Sequence, residues 1–129
     1  MNAGDLEIIE IISSHIEKYI GPIDVVMHEK VSDFMHVDVH VVAPNEKRNF
    51  YTCITSGMSD LPMSVPEGLE EISFAELLIC LPSDWKLSPE AFLEDENQHY
   101  WPLRWLKQLA RYPHQAETWL WLDHTIPNG

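Results

Sequence analysis

The chain has 129 residues, 45% of them hydrophobic and 22% charged, which excludes a disordered protein and fits one globular domain over residues 1–129. Eight Lys and Arg stand against 21 Asp and Glu, and the net charge of −13 argues against direct nucleic-acid binding. Because the N-terminus lacks a basic region and no apolar run reaches the roughly 20 residues of a membrane span, we expect a cytoplasmic protein without membrane contact.

The first half of the chain predicts one helix and three strands. Apolar residues recur with helical spacing over 5–20, and Gly21-Pro22 ends that pattern. Residues 23–29 and 49–56 are typical of strands, and residues 35–44 between them alternate strictly. In this alternation one face carries Met35, Val37, Val39 and Val41, and the other carries His36, Asp38 and His40.

The second half predicts a fourth strand, two helices and a last short strand. Residues 74–82 are almost continuously apolar, which is typical of a central strand covered on both faces. Residues 88–97 predict a short helix capped by Ser88, and residues 101–113 a longer helix that Pro113 ends. Residues 118–122 predict a last strand, followed by a loop. The order predicts an α/β domain of the α+β kind, a mixed sheet packed with an N-terminal and a C-terminal helix.

Two groups of side chains have expected environments that the structure can test. Cys53 and Cys80 lie in apolar runs, and we expect buried free thiols. Arg104, Lys107 and Arg111 share one face of the last predicted helix. We expect that row to be solvated or to pair with the acidic segment of this chain.

The polar face of the alternating strand suggests metal chemistry. Two imidazoles and a carboxylate, His36, Asp38 and His40, can hold zinc or iron, and His124 could complete the set. A metal-dependent hydrolase is therefore one alternative, and the other is a polar face of a half-exposed strand or a hydrogen-bonded Asp. We favour the latter and predict no metal, no cofactor and no catalytic residue.

The loop from Thr55 to Gly68 contains no recognisable catalytic motif. It lacks the second glycine of a nucleophile elbow and the Gly-Lys-Ser/Thr of a phosphate-binding loop. We expect Gly57 to allow a turn that a side chain would forbid, and the loop methionines Met58 and Met63 to pack against the sheet. The loop is therefore predicted to be structural.

Several motifs in combination resemble the suppressor-of-fused-like domain in its small bacterial form. They are HVDVHVVAP, FYTCITSGMSDLPMSVPEG, AELLICLPSDW, WPLRWLKQLARYP and TWLWLDHTIPNG, and the resemblance covers most of the chain from the first helix. One departure is Asp123, where the family often has Gly before the late histidine. The family pattern falls on His36, Asp38, Thr55, Gly57, Met58, Ser59, Pro62, Met63, Pro66, Glu76, Pro82, Asp84, Trp85, Trp101, Pro102 and His124.

The resemblance implies a non-enzymatic protein-binding domain. Similar bacterial domains are associated with immunity proteins that neutralise a cognate toxin, often a nuclease, and similar animal domains belong to a regulator that sequesters a transcription factor. Our leading interpretation is an immunity protein against a basic toxin, and the alternative is a regulator that binds a cellular protein by strand addition. Between Asp60 and Glu96 ten acids accompany one base. We expect the contact at Glu67, Glu70, Glu71, Glu90, Glu94, Asp95 and Glu96.

Overall fold

A four-stranded antiparallel sheet forms the centre of the computed structural model, which describes residues 6–29 and 34–121. The strands follow one another in space as they do in the chain. They are β1 (Ile23–Met27), β2 (Asp38–Val42), β3 (Phe50–Ser56) and β4 (Leu78–Pro82). All three pairings are antiparallel, so short connections suffice to join neighbouring strands.

Helices complete the α+β domain that the sequence predicts. They are α1 (Leu6–Tyr19), α2 (Pro89–Glu94), α3 (Glu96–His99) and α4 (Trp101–Gln115). The helix predicted over residues 5–20 is confirmed as α1, although residue 5 lies outside the described part. The Ser88 hydroxyl accepts a hydrogen bond from the Ala91 amide at 3.1 Å, which confirms the predicted cap of α2.

Pro113 does not end α4 as predicted. The helix continues to Gln115, and the Ala116 amide donates to the Tyr112 carbonyl at 2.9 Å. A proline removes its own amide donor from the helix, but that loss does not prevent the residues after it from bonding back. Here the proline ring is also buried, so packing favours its position.

The two long helices pack on opposite faces of the sheet. Neighbouring residues of β2 point in opposite directions, and Val41 packs with Leu103 and Leu106 of α4, whereas Val42 packs with Ile16 of α1. A third buried cluster joins the loop after β3 to the C-terminal half of α4. Its buried members are Met35, Val37, Met58, Met63 and Ala110.

β4 lies at an edge of the sheet, so the predicted central position is wrong. It pairs with β3, and within the described residues no strand pairs with its other side. Leu78 is 48% exposed, and Cys80 is an exposed free thiol, whereas Cys53 is buried as expected. A short apolar run indicates that a strand is hydrophobic but not how many strands lie beside it. The sequence therefore could not distinguish an edge strand from a central one.

The strand predicted at residues 118–122 is absent over 118–121, and residue 122 lies outside the described part. Thr118 instead fastens this segment to the loop after β3, because its carbonyl accepts from the Ser64 amide at 3.1 Å. Trp119 and Leu120 pack against the cluster that contains Met63. The apolar pattern thus reflects packing and not pairing in the sheet.

Two leucine truncations test this account of the core. Leu106 of α4 is buried against the sheet and only 2% exposed, whereas Leu93 of α2 is 88% exposed. We expect Leu106→Ala to lower the free energy of unfolding by about 2–5 kcal/mol, because it leaves a cavity. The matched variant Leu93→Ala should change it by less than about 0.5 kcal/mol. Urea denaturation measures both, and equal losses would contradict the assignment of the core.

Candidate functional site

The loop after β3 begins with a turn that only glycine can make. Gly57 has φ of 122°, and a Cβ on it would lie 2.0 Å from the His36 carbonyl oxygen. After the turn, Met58 and Met63 are buried, at 0% and 4% exposure. The expected turn at Gly57 is therefore confirmed, and it lies close to the segment that leads into β2. The two methionines are buried, but they pack with Val37 and with Ala110 of α4, not with residues of the four strands.

The carboxylate of Glu76 holds the same turn from the other side. Its Oε1 accepts from the Thr55 hydroxyl at 2.7 Å, and its Oε2 accepts from the Gly57 amide at 3.1 Å. The Ser59 amide and hydroxyl also donate to Oε2, at 2.8 and 2.5 Å. Burial raises the pKa of Glu76 above its usual range, and these hydrogen bonds oppose the rise. A side chain that sequence reasoning treated as a lone acid in a strand thus organises the loop.

Asp38 is the centre of a second polar cluster. It is 1% exposed, and its carboxylate contacts His36 Nε2 at 2.6 Å, His28 Nδ1 at 3.0 Å and the Glu29 amide at 3.0 Å. This arrangement matches the hydrogen-bonded Asp that we favoured over a metal ligand. His28 is a member that sequence reasoning missed, because it lies on a different strand segment.

His40 does not join that cluster. Its Nε2 lies 2.9 Å from the Ser56 hydroxyl, and its Nδ1 is buried without a hydrogen-bond partner within the described residues. Burial lowers the pKa of this imidazole, which favours its neutral form. Over the described ranges, 6–29 and 34–121, no group of three His, Cys, Asp or Glu side chains has the geometry of a metal site. His124, the fourth candidate, lies outside those ranges.

Two of the three residues in the basic row of α4, Lys107 and Arg111, are not solvated, contrary to the first expectation, and the third, Arg104, is half-buried over the Tyr100 ring. Lys107 is 9% exposed, and its Nζ lies 3.8 Å from Glu29 Oε2 and 2.9 Å from the Tyr100 hydroxyl. Arg111 contacts Glu29 Oε1 and donates to the Met35 carbonyl at 3.0 Å. Their acidic partner therefore lies outside the segment 60–96. Helical periodicity located this face, but it could not show that Glu29 and Met35 lie across it.

The predicted contact acids fall into two separate groups. The first, which we call the loop acids, comprises Glu67, Glu70 and Glu71, all exposed. Their segment follows Met63 and Val65, which pack in the cluster with Ala110. The second comprises Glu90, Glu94 and Asp95, also exposed, on and after α2, whose Phe92 packs in the cluster with Leu103. Glu96, the seventh acid, opens α3, and its side chain is not described.

The second group borders exposed apolar and aromatic side chains. Leu93 lies between Glu90 and Glu94 in the chain and is 88% exposed. Glu94 and Asp95 line a cleft of about 510 Å³ together with Trp85, whose ring meets that of the exposed Trp101 at 6.0 Å. We call this region the helical surface; it comprises Glu90, Leu93, Glu94, Asp95 and Trp101.

The other positions of the predicted family pattern divide between interior and surface. Pro102 is buried in the first turn of α4, and Trp85 is held by its indole N–H, which donates to the His99 carbonyl at 2.8 Å. The exposed positions are Pro62, Pro66, Pro82, Asp84 and Trp101. Of these positions, Trp101 belongs to the helical surface, and Asp84 and Trp85 line the cleft beside Glu94 and Asp95.

Comparison with known proteins identifies the family. A family model described as Suppressor of fused protein (SUFU) matches residues 34–129. The chain belongs to the SUFU family. The match begins at Phe34, later than the first helix where we placed the start of the resemblance. No curated protein and no solved structure matches the chain.

SUFU membership supports a protein-binding role in place of a catalytic one. The surfaces described above are consistent with this, because the exposed helical surface offers contact area whereas Asp38 and His40 are buried. Within the part of the chain that the structure describes, no helix is both long and apolar enough to cross a membrane.

A pair of glycine substitutions tests the turn at Gly57. We expect Gly57→Ala to lower the free energy of unfolding by about 3 kcal/mol or more, because its Cβ collides with the backbone. Gly68 also has positive φ, but nothing lies within 4 Å of its Cβ position. Gly68→Ala should therefore cost about 1 kcal/mol from backbone strain alone. Thermal and urea melts compare the two, and equal losses would contradict the close approach.

The raised pKa of Glu76 predicts a pH effect. Because the folded state holds its proton at a pH where the unfolded chain has released it, stability rises as pH falls through the folded pKa toward the unfolded value of about 4.3. Glu76→Gln lacks this titration. We expect the stability difference between wild type and variant to move in favour of wild type between about pH 7 and about pH 5 in urea melts. Movement in favour of the variant would show that the hydrogen bonds outweigh burial.

Proposed function

We propose that the chain is an immunity protein that binds a basic, nuclease-type toxin and neutralises it by covering the toxin's nucleic-acid-binding surface. The observation that carries the proposal is the helical surface, where Leu93 is 88% exposed beside Glu90, Glu94 and Asp95. An isolated exposed leucine needs no explanation, but this one lies on the same short helix as Glu90 and Glu94, and Glu94 lines a cleft with Trp85, so acids and apolar side chains occur together here.

The overall charge supports a basic partner. A net charge of −13 raises the rate at which a basic protein encounters this chain. The Debye length of about 8 Å at physiological salt limits this attraction to charges near the contact. The acids of the helical surface would therefore steer association, whereas acids on the far side of the domain would contribute little.

Affinity would come from the apolar members of the helical surface. Burial of a leucine side chain contributes about 2 kcal/mol, which corresponds to more than tenfold in the dissociation constant. Trp101 is 45% exposed and its ring edge is supported by Trp85, so it can be buried without losing its orientation. These two side chains are the expected anchors.

The loop acids provide a matched comparison. They also have exposed apolar neighbours, Leu69 and Phe74, so composition alone does not separate the two surfaces. A local hydrogen bond does not separate them either, because Glu70 accepts from the Gly68 amide at 2.7 Å and Asp95 accepts from the Gln98 amide at 3.1 Å. The helical surface differs in that Glu94 and Asp95 line a cleft of about 510 Å³. We therefore place the contact on the helical surface.

Two triple charge reversals test this choice with the same change in net charge. In the first, Glu90, Glu94 and Asp95 become Lys, and in the second, Glu67, Glu70 and Glu71 become Lys. Against a basic nuclease-type toxin taken from a neighbouring gene, we expect the first to lower the association rate about 10- to 100-fold at low salt and the second much less. Leu93→Ala should mainly raise the dissociation rate, about tenfold. Stopped-flow fluorescence and surface plasmon resonance measure both rates.

Three outcomes would count against the proposal. If the toxin forms no complex with the wild-type protein even at low salt, the immunity function is wrong. If both triple variants slow association equally, only the overall charge matters and the helical surface is not the contact. If the loop variant alone loses binding, the contact lies on the other surface.

A second candidate function, regulation of a cellular protein by strand addition, is favoured by the open edge of β4. The Thr55 amide donates to the Leu77 carbonyl at 2.9 Å, so by antiparallel alternation the amides of Leu78 and Cys80 point away from β3. Cys80→Pro would remove one of these outward donors. A partner added as a strand should lose affinity for this variant, whereas a partner on the helical surface should not.

A further inference from the structure

Part of the sheet face under α1 is left uncovered beside β4. A groove of about 340 Å³ lies between α1 and β4, and aliphatic side chains form most of its lining. Its rim is open to solvent, because Ile11 of α1 is 61% exposed and Leu78 of β4 is 48% exposed. Ile16 and Ile54 lie deeper and are buried against each other. The size is near the lower end of the roughly 300–1,000 Å³ that is usual for ligand pockets.

One carboxylate lies among these aliphatic side chains. Glu76 lines the groove together with one imidazole, His15, and no lysine or arginine lines it with them. Oε2 accepts three hydrogen bonds, from the Gly57 amide and from the Ser59 amide and hydroxyl. Oε1 accepts one, from the Thr55 hydroxyl, so it retains acceptor capacity. The groove thus combines apolar walls with a carboxylate that no lysine or arginine of the lining neutralises.

We propose that this groove binds a segment of a partner protein that carries a lysine or arginine, with the aliphatic stem along the isoleucines and the charged head at Glu76. The chemistry of the groove selects this occupant. A purely aliphatic segment would remove water from a carboxylate without replacing its interactions, and an acidic segment would be repelled. A long basic side chain satisfies both requirements, because its stem is apolar and its head is cationic.

The inference rests on the proposed function in one respect, that the partner is basic. A second copy of this chain is a poorer occupant, because two molecules of charge −13 repel each other. The groove and the helical surface belong to different sides of the sheet, since α1 packs with Val42 and Ile54 and α2 packs on the α4 side. The groove can therefore be tested by itself.

The test uses two synthetic peptides and ¹⁵N-labelled full-length protein. The probe is acetyl-Val-Arg-Val-amide, and its neutral control is acetyl-Val-Gln-Val-amide. In heteronuclear NMR titrations we expect the arginine peptide to shift the amide signals of Ile54, Leu77 and Leu78. It should bind about tenfold more tightly than the glutamine peptide, as expected for a hydrogen bond to a charged group. Equal affinities, or shifts confined to other residues, would overturn the proposal.

Two substitutions at the rim of the groove test the site without changing Glu76, whose carboxylate also holds the Gly57 turn. Ile11 is largely exposed, so neither Ile11→Lys nor Ile11→Glu should unfold the protein. We expect Ile11→Lys to weaken the arginine peptide about fivefold or more and Ile11→Glu to leave it unchanged or tighten it. In Glu76→Gln, checked for folding by its NMR spectrum, the preference for arginine over glutamine should disappear.

Two further results would contradict the proposal. If both Ile11 variants bind the arginine peptide as the wild type does, the groove is not the site. If the same amides shift when the protein is concentrated without peptide, the occupant is a second copy of the chain. A negative result here leaves the rate measurements on the helical surface untouched, so failure of the groove and failure of the immunity function are distinguishable.

Discussion

The carboxylate of Glu76 and the missing side chain of Gly57 together set the shape of this domain. Gly57 lets the chain leave β3 against the carbonyl of His36, and Glu76 collects the donors of Thr55, Gly57 and Ser59 that the turn would otherwise leave unpaired. The turn directs Met58 and Met63 into the cluster that supports the C-terminal half of α4. Both the position of the long helix and the course of the acidic segment therefore depend on it.

The polar groups of the interior serve this architecture. Asp38 ties the end of β1 to the start of β2, and Glu29 ties the same region to α4 through Arg111. Asp38 lies beside two imidazoles, and Glu29 lies beside Lys107 and Arg111; such pairing is the condition under which buried charges persist in folded proteins. Because Asp38 and Glu29 are engaged with these partners, the groups that remain available for another protein are the surface acids, the Glu76 carboxylate in its groove, and the exposed aliphatic and aromatic side chains.

Local patterns predicted the local structure well. The periodicity of α1, the Ser88 cap and the alternation through Val39 and Val41 each depend on neighbours a few residues apart. The position of β4 at an edge, the burial of Lys107 and the separation of the two acid groups depend on contacts between distant segments. Counting charges located one acidic segment in the sequence. The structure separates its acids into two groups, because Phe92 packs in one core cluster and Met63 in another.

The ion pair between Glu29 and Arg111 spans 82 residues of sequence and has a consequence for biosynthesis. In a nascent chain that has been synthesised only as far as β4, Val39, Val41 and Leu81 lack their packing partners Leu103 and Leu106. The sheet must therefore wait for α4, and the domain can complete its fold only after α4 has been synthesised. A transcript truncated before Trp101 would yield an exposed apolar sheet, a substrate for chaperones and proteases.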